Sequence, residues 1–203
     1  MTFALILAGT LLMKVIEWND ISWLDAYFQS VTARTAGYNS VDICVMHSAS
    51  ILVLIVLMII GASPGSTGGG VKTTTAALAF IAVWNIFKGN NKVYLFKRQV
   101  QESDILRAYA IITLYLFVAL LSTMLILLME NGQLQKVLFE VVSALSTVGL
   151  SDGYTAEAGI CGKLILSACM FVGRVGPFSL IIFLLSMEKQ SKISYPQENL
   201  ILG

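Results

Sequence analysis

The chain has 203 residues, 57% of them hydrophobic and only 12% charged, with a net charge of +1 and a mean hydropathy of +0.80. Soluble domains carry about 25% charged residues, so this composition excludes an ordinary soluble protein and points to the membrane. The near-neutral balance, with no basic tail, offers nothing to nucleic acid, so partners are sought in the membrane and its lipid.

The first apolar tract, 1–16, has no positive charge ahead of it, unlike a signal peptide. It is also shorter than the ~20 residues of a spanning helix. It reads as the remnant of one, and the chain is expected to begin inside a larger protein. A polar segment rich in small residues, 17–42, follows, and then an apolar tract over 51–62. This second tract runs straight into GASPGSTGGGVKT, which holds five glycines and a proline. Twelve helical residues rise only about 18 Å against a hydrocarbon core of ~30 Å. The glycine-rich loop therefore interrupts one long helix, which resumes over 73–87. Non-helical backbone at that depth must be packed in protein or line a water-filled cavity. Next comes a basic segment, 88–107, with Lys88, Lys92, Lys97, Arg98 and Arg107 against Glu102 and Asp104. Apolar tracts over 108–129 and 164–187 flank a second polar segment, 130–163, and the tail adds Lys189 and Lys192. The positive-inside rule puts the basic segment and the C-terminus in the cytoplasm and both polar segments outside.

The chain also repeats itself. A shift of 112 residues carries Thr35, Ala36 and Gly37 onto Thr147, Val148 and Gly149, Met58 onto Met170, and Gly61 onto Gly173. Each copy reads as an incoming helix, a short amphipathic segment (WLDAYFQSVTA, LQKVLFEVVSAL), a T-x-G turn and an outgoing helix. T-x-G alone occurs in ordinary turns. Its repetition after matching amphipathic segments on one side of the membrane points to the pore helix and filter of a cation channel. There, backbone carbonyls replace the hydration shell of the ion, and glycine permits the dihedrals that aim them at one axis.

VTARTAGYNSVDI, GASPGSTGGGVKTTT, STVGLS and MFVGRVGPFSL together resemble the TrkH/KtrB/HKT superfamily of potassium transporters, closest in these motifs to bacterial KtrB. That family carries four such units around a pseudo-fourfold pore, and this chain resembles the third and fourth. The resemblance implies an all-α membrane protein with two tandem pore units, 1–88 and 108–190, joined by a cytoplasmic basic linker, 89–107, and followed by a cytoplasmic tail, 191–203. It implies potassium uptake across the plasma (inner) membrane, with Thr35, Ala36, Gly37 and Tyr38 as one quarter of the filter and Thr147, Val148, Gly149 and Leu150 as another. The intramembrane gating loop would be Gly61, Ser63, Gly65, Ser66, Thr67, Gly68, Gly69 and Gly70, opposed by Arg174. Two loops cannot close a ring of four, so an N-terminal half with two further units is expected as partner. The resemblance also implies a homodimer and a cytoplasmic nucleotide-binding ring of the KtrA/TrkA type. Potassium is the substrate, with sodium as coupling ion, and no cofactor is expected in this chain. A non-conducting half-subunit with a structural or regulatory role is the alternative.

Arg174 agrees with the resemblance by itself, because an arginine in the middle of tract 164–187 is costly unless it serves a site. It is read as a plug bonded to loop carbonyls, or as a structural arginine paired with the other half. Lys72 either guards the cytoplasmic vestibule or snorkels to the inner surface. Arg34, beside the first filter threonine, either braces that loop or faces the outer vestibule. Asp42, Glu140 and Asp152 are candidates for concentrating cations at the outer mouth. Cys44, Cys161 and Cys169 lack metal spacing and are expected as buried small hydrophobes.

Catalysis is not expected. GSTGGGVKT departs from the Walker pattern at Val71, where lysine must follow the last glycine. His47, the only histidine, lies roughly 24 Å by helical rise from Ser63, too far to act as its general base.

Overall fold

The computed structural model describes residues 1–89, 93–95 and 98–176. The tail 191–203, the end of the last apolar tract, and Lys92, Lys97, Lys189 and Lys192 lie outside them. Eight α-helices are present among the described residues. The first unit consists of α1 (Thr2–Ile16), α2 (Trp23–Thr32), a 3-10 turn (Ile43–Val45), α3 (Ser48–Ile59) and α4 (Thr73–Phe87). The second consists of α5 (Glu102–Met129), α6 (Leu134–Leu145), a single turn α7 (Tyr154–Glu157) and α8 (Ile160–Val175). The expected repeat is built: the starts of α3 and α8, Ser48 and Ile160, differ by the same shift that relates the two T-x-G turns. A small antiparallel hairpin, with Tyr94 opposite Gln99 and Leu95 opposite Arg98, is the one departure from the all-helical expectation.

Helix boundaries follow side-chain chemistry. The helix α5 begins inside the basic segment, six residues before its apolar tract, because Glu102 and Asp104 stand in its first turn and favour the positive end of the dipole. It is the one described helix long and apolar enough to cross a bilayer by itself, while α1, α3 and α4 are shorter apolar helices. Each outgoing helix is capped by a carboxylate from the end of the incoming one. Glu17 Oε1 accepts from the His47 amide at 2.6 Å and the Ser50 hydroxyl at 2.7 Å, at the start of α3. Glu130 accepts from the Gly159 amide at 3.1 Å, the Gly162 amide at 2.7 Å and the Tyr154 hydroxyl at 2.7 Å, at the start of α8. Both carboxylates satisfy N–H groups that the helix leaves unpaired.

The core has two clusters. One joins Met13, Ala26, Leu54 and Met58 to Phe139, Val142 and Val148 of the second unit. The other gathers Tyr115, Ile126, Val137, Val141, Leu166 and Cys169 around α6, with Val71 at its edge. The opposite faces of α1 and α5 expose Phe3, Leu7, Phe117, Leu120 and Leu128, a surface that needs an apolar surround. Only Cys169 of the three cysteines is buried. Cys44 sits in the 3-10 turn and Cys161 in the first turn of α8, both pointing outward, which corrects the expectation for those two.

Candidate functional site

The short amphipathic segments became α2 and α6, and the T-x-G turns sit at their C-terminal ends. Backbone conformation repeats between them: Thr35 and Thr147 are left-handed (φ 68° and 54°), as are Gly37 and Gly149 (φ 80° and 93°). A non-glycine residue in that region stores roughly 1–3 kcal/mol of strain, so two threonines at matching positions mark an imposed geometry. The two turns also touch. A Cβ on Gly37 would lie 2.1 Å from the Val148 carbonyl oxygen, so only glycine fits there. The carbonyls that follow are tied back to their own pore helices, since Thr32 Oγ1 donates to Tyr38 O at 2.5 Å and Ser143 Oγ donates to Leu150 O at 2.6 Å. Residue types alone do not announce these ties.

The glycine-rich loop packs under both turns. Its base is closed by a parallel bridge between Ile60 and Val71, with the Gly61 amide donating to Val71 O and the Val71 amide to Ile59 O, each at 2.9 Å. The segment Ser63, Pro64, Gly65, Ser66 and Thr67 is exposed, while Gly61, Ala62 and Gly69 are buried. A Cβ on Gly68 would lie 3.0 Å from Thr35 Oγ1. The Gly69 amide donates to Thr147 Oγ1 at 2.8 Å. A Cβ on Gly69 would meet the carbonyls of Leu145 at 2.9 Å and Gly173 at 3.0 Å. The glycines thus let bare backbone reach Thr35, Thr147 and the last turn of α8.

The charged candidates divide differently from expectation. Arg34 braces the glycine-rich loop rather than its own filter turn, with Nη2 donating to Gly61 O at 3.0 Å. Lys72 turns into the same loop and donates to Ser66 O at 2.9 Å and Gly68 O at 2.6 Å. Arg174 makes none of the expected bonds to loop carbonyls among the described residues; Arg34 and Lys72 hold three of those oxygens instead. It lines, with Thr147, Val148, Gly149 and Leu150, a cavity of about 730 Å³ along the second turn. Glu140 and Asp152 are only 5% and 2% exposed, and so do not face water at a mouth. Glu140 accepts from the Ser151 hydroxyl, the Asp152 amide and the Thr155 amide and hydroxyl, which braces the chain leaving the second T-x-G turn. Asp42 is exposed and accepts from the Cys44 amide at 3.0 Å.

Residues 1–195 match the TrkH family, described as a cation transport protein. The chain belongs to the TrkH family. Among curated TrkH-family relatives, it is 38% identical to the Ktr system potassium uptake protein B of Vibrio alginolyticus, over 98% of this chain and 46% of that protein. It is 32% identical to the potassium/sodium uptake protein NtpJ of Enterococcus hirae, over 100% of this chain and 48% of that protein. The potassium transporter TrkH of Vibrio parahaemolyticus has the same fold over 92% of this chain and 42% of its own, with a TM-score of 0.71 and 22% identity. The chain spans a little under half the length of these relatives.

Proposed function

We propose that this chain supplies two of the four quarters of the pore of a Trk/Ktr-type potassium-uptake transporter. The observation that carries this reading is the pair of T-x-G turns, alike in backbone, each at the C-terminal end of a pore helix and in contact with the other. Such turns offer carbonyl oxygens to a dehydrating cation, and the negative dipole ends of α2 and α6 favour a positive charge there. Thr35, Ala36, Gly37 and Tyr38, with Thr147, Val148, Gly149 and Leu150, are the filter residues, and the carbonyls of Tyr38 and Leu150 also tie each turn to its helix. The relatives named for potassium uptake support potassium as the substrate, and sodium, in the name of one of them, is assigned as a coupling ion.

The loop formed by Gly61, Ser63, Gly65, Ser66, Thr67, Gly68, Gly69 and Gly70 is the gate beneath the filter. Arg174 adds a positive charge beside it that has no carboxylate partner among the described residues. Two further units complete the ring, a second copy forms a dimer, and a nucleotide-binding ring acts from the cytoplasmic side of the inner membrane, where the C-terminus lies.

The test is Gly149→Asp in the assembled transporter. Potassium uptake is expected to vanish at unchanged membrane abundance, and uptake at the wild-type rate would overturn the filter assignment in favour of a non-conducting subunit. Arg174→Ala is expected to raise basal uptake. Unchanged or lower uptake at normal abundance would remove Arg174 from the gate.

A further inference from the structure

The second half of α4 carries an apolar surface that none of the described residues covers. Phe80, Val83, Trp84 and Phe87 recur at every third or fourth position, so they form one stripe along the helix, and all four are exposed. Ala79 and Ala82, on the other side, are buried. The stripe is ordered by its own contacts. The rings of Phe80 and Trp84 stack with centroids 6.4 Å apart, and the Lys88 ammonium stands over the Trp84 ring at 5.4 Å.

The neighbouring helix fixes the depth of this stripe. Residues 110–129 of α5 carry no charge, and their helical rise is enough to cross the ~30 Å hydrocarbon core. The first turns of α5, with Glu102, Asp104 and Arg107, therefore stand among the headgroups. Val71, just before α4, packs with Tyr115, whereas Leu78 shares a small cavity with Arg107 and Ala108, so α4 runs antiparallel to α5. The Tyr109 hydroxyl donates to Ala79 O at 3.4 Å. Ala79 is thus level with the inner edge of the hydrocarbon, and the stripe that follows it lies beyond that edge.

Aromatic rings and cations are the side chains that settle at headgroup depth. The charge balance agrees: segment 88–107 holds Lys88, Lys92, Lys97, Arg98 and Arg107 against Glu102 and Asp104. Arg107 reaches Asp104 only at 3.8 Å, with both side chains exposed. Among the described residues no carboxylate or carbonyl takes the Lys88 ammonium. Lys14, the other lysine beside a tryptophan, differs, because its ammonium is engaged by Trp18 O and Ile21 O at 2.7 Å each. The cores of protein interfaces are depleted in lysine, whereas an anionic lipid surface attracts it.

We propose that the second half of α4 is a docking surface for the anionic phospholipids of the inner leaflet. Phe80, Val83, Trp84 and Phe87 seat among the headgroups and upper acyl chains, and Lys88 and Arg107, at the two ends of the stripe, take lipid phosphates. This rests on the cytoplasmic placement of the basic segment and is independent of the filter and gate assignments.

The experiment places the assembled transporter in lipid vesicles and measures quenching of Trp84 by brominated phosphatidylglycerol and, separately, by brominated phosphatidylcholine. The Trp84 signal is the emission lost in Trp84→Phe. The anionic lipid is expected to quench it at lower mole fraction than the neutral one. Lys88→Gln should lower that preference about fivefold, the weight of one cation near an anionic surface, and Lys88→Arg should retain it. Equal quenching by the two lipids overturns the proposal, as does an unchanged preference in Lys88→Gln. Quenching by neither lipid also overturns it, because a second copy or another protein then covers the stripe. In a cysteine-free background, Gln99→Cys is expected to react with an impermeant maleimide only from the cytoplasmic side. Labelling from outside overturns the cytoplasmic placement, and the inner-leaflet assignment with it, whatever the quenching shows.

Discussion

The two units have one plan, and the outgoing helix shows how they diverge. In the first, the outgoing helix stops at Ile59 and gives way to the glycine-rich loop; in the second, α8 continues unbroken through the matching positions to Val175. A glycine stands at the same register in both, for opposite reasons. Gly61 lets the broken chain pass the Gly69 carbonyl, which a Cβ would approach to 2.3 Å. Gly173 lets an intact helix press on the C-terminal end of α6, where a Cβ would lie 2.0 Å from Leu145 O. The arginines are also exchanged between copies: Arg34 has Ser146 as its repeat partner, and Arg174 has Ala62. Ser146 shares a 2.7 Å hydrogen bond with Tyr115, a neutral brace where the first unit has a charged one. A duplicated scaffold thus carries a continuous outgoing helix in one half and a glycine-rich loop interrupting it in the other.

The comparison breaks most sharply at those glycines. Gly173→Val is expected to overpack the junction of α8 with α6 at a cost of ~1–3 kcal/mol or more, read as a large fall in membrane abundance and thermal stability. Gly61→Ala sets a single methyl against the backbone of Gly69 at the root of the loop, and is expected to lower abundance less than Gly173→Val and, if the loop is the gate proposed above, to raise basal uptake. Equal loss of abundance in both variants would show that the loop is as structural as the helix.

An effect of similar order is expected at the caps. Glu17→Ala leaves the His47 amide and Ser50 hydroxyl without their buried acceptor, for about 1.5–3 kcal/mol, measured as a drop in unfolding temperature. The same substitution in the second unit should expose the start of α8 to hydrogen exchange while that of α3 stays protected.

The smallest effect is one of pH. The Tyr154 hydroxyl, followed by the amides of Gly162 and Gly159, holds the Glu130 carboxyl below its ordinary value of 4.5. The cap therefore contributes fully above pH 4.5 and is lost as pH falls through the lower folded value. Protection of the amides at the start of α8, corrected for the intrinsic exchange rate at each pH, should fall with acidification in that window. Glu130→Gln should flatten the dependence, and an unchanged slope would assign it to other groups.

Much of the scaffold was legible because its signals are local. The repeat, the break after Ile59 and the two T-x-G turns follow from apolar run length, glycine and spacing. Glu17 and Glu130 were legible in principle, since an acidic residue ends each incoming helix, yet the function of each depends on a helix start about thirty residues later. Glu140 was misplaced at the mouth because an acidic residue near a filter looks solvent-facing until its four donors from Ser151, Asp152 and Thr155 are seen.

The sequence by itself determined a membrane-type helical chain, its duplication, the paired T-x-G turns and the position of the loop, because hydropathy, periodicity and the conformational freedom of glycine act within a few residues. Tertiary structure alone decided which cation holds which oxygen: Arg34 at Gly61, Lys72 at Ser66 and Gly68, and Arg174 along the cavity beside the second turn. The physical reason is that the acceptors are backbone carbonyls, which every residue carries alike, so a long charged side chain finds its partner only when folding brings one particular carbonyl within reach.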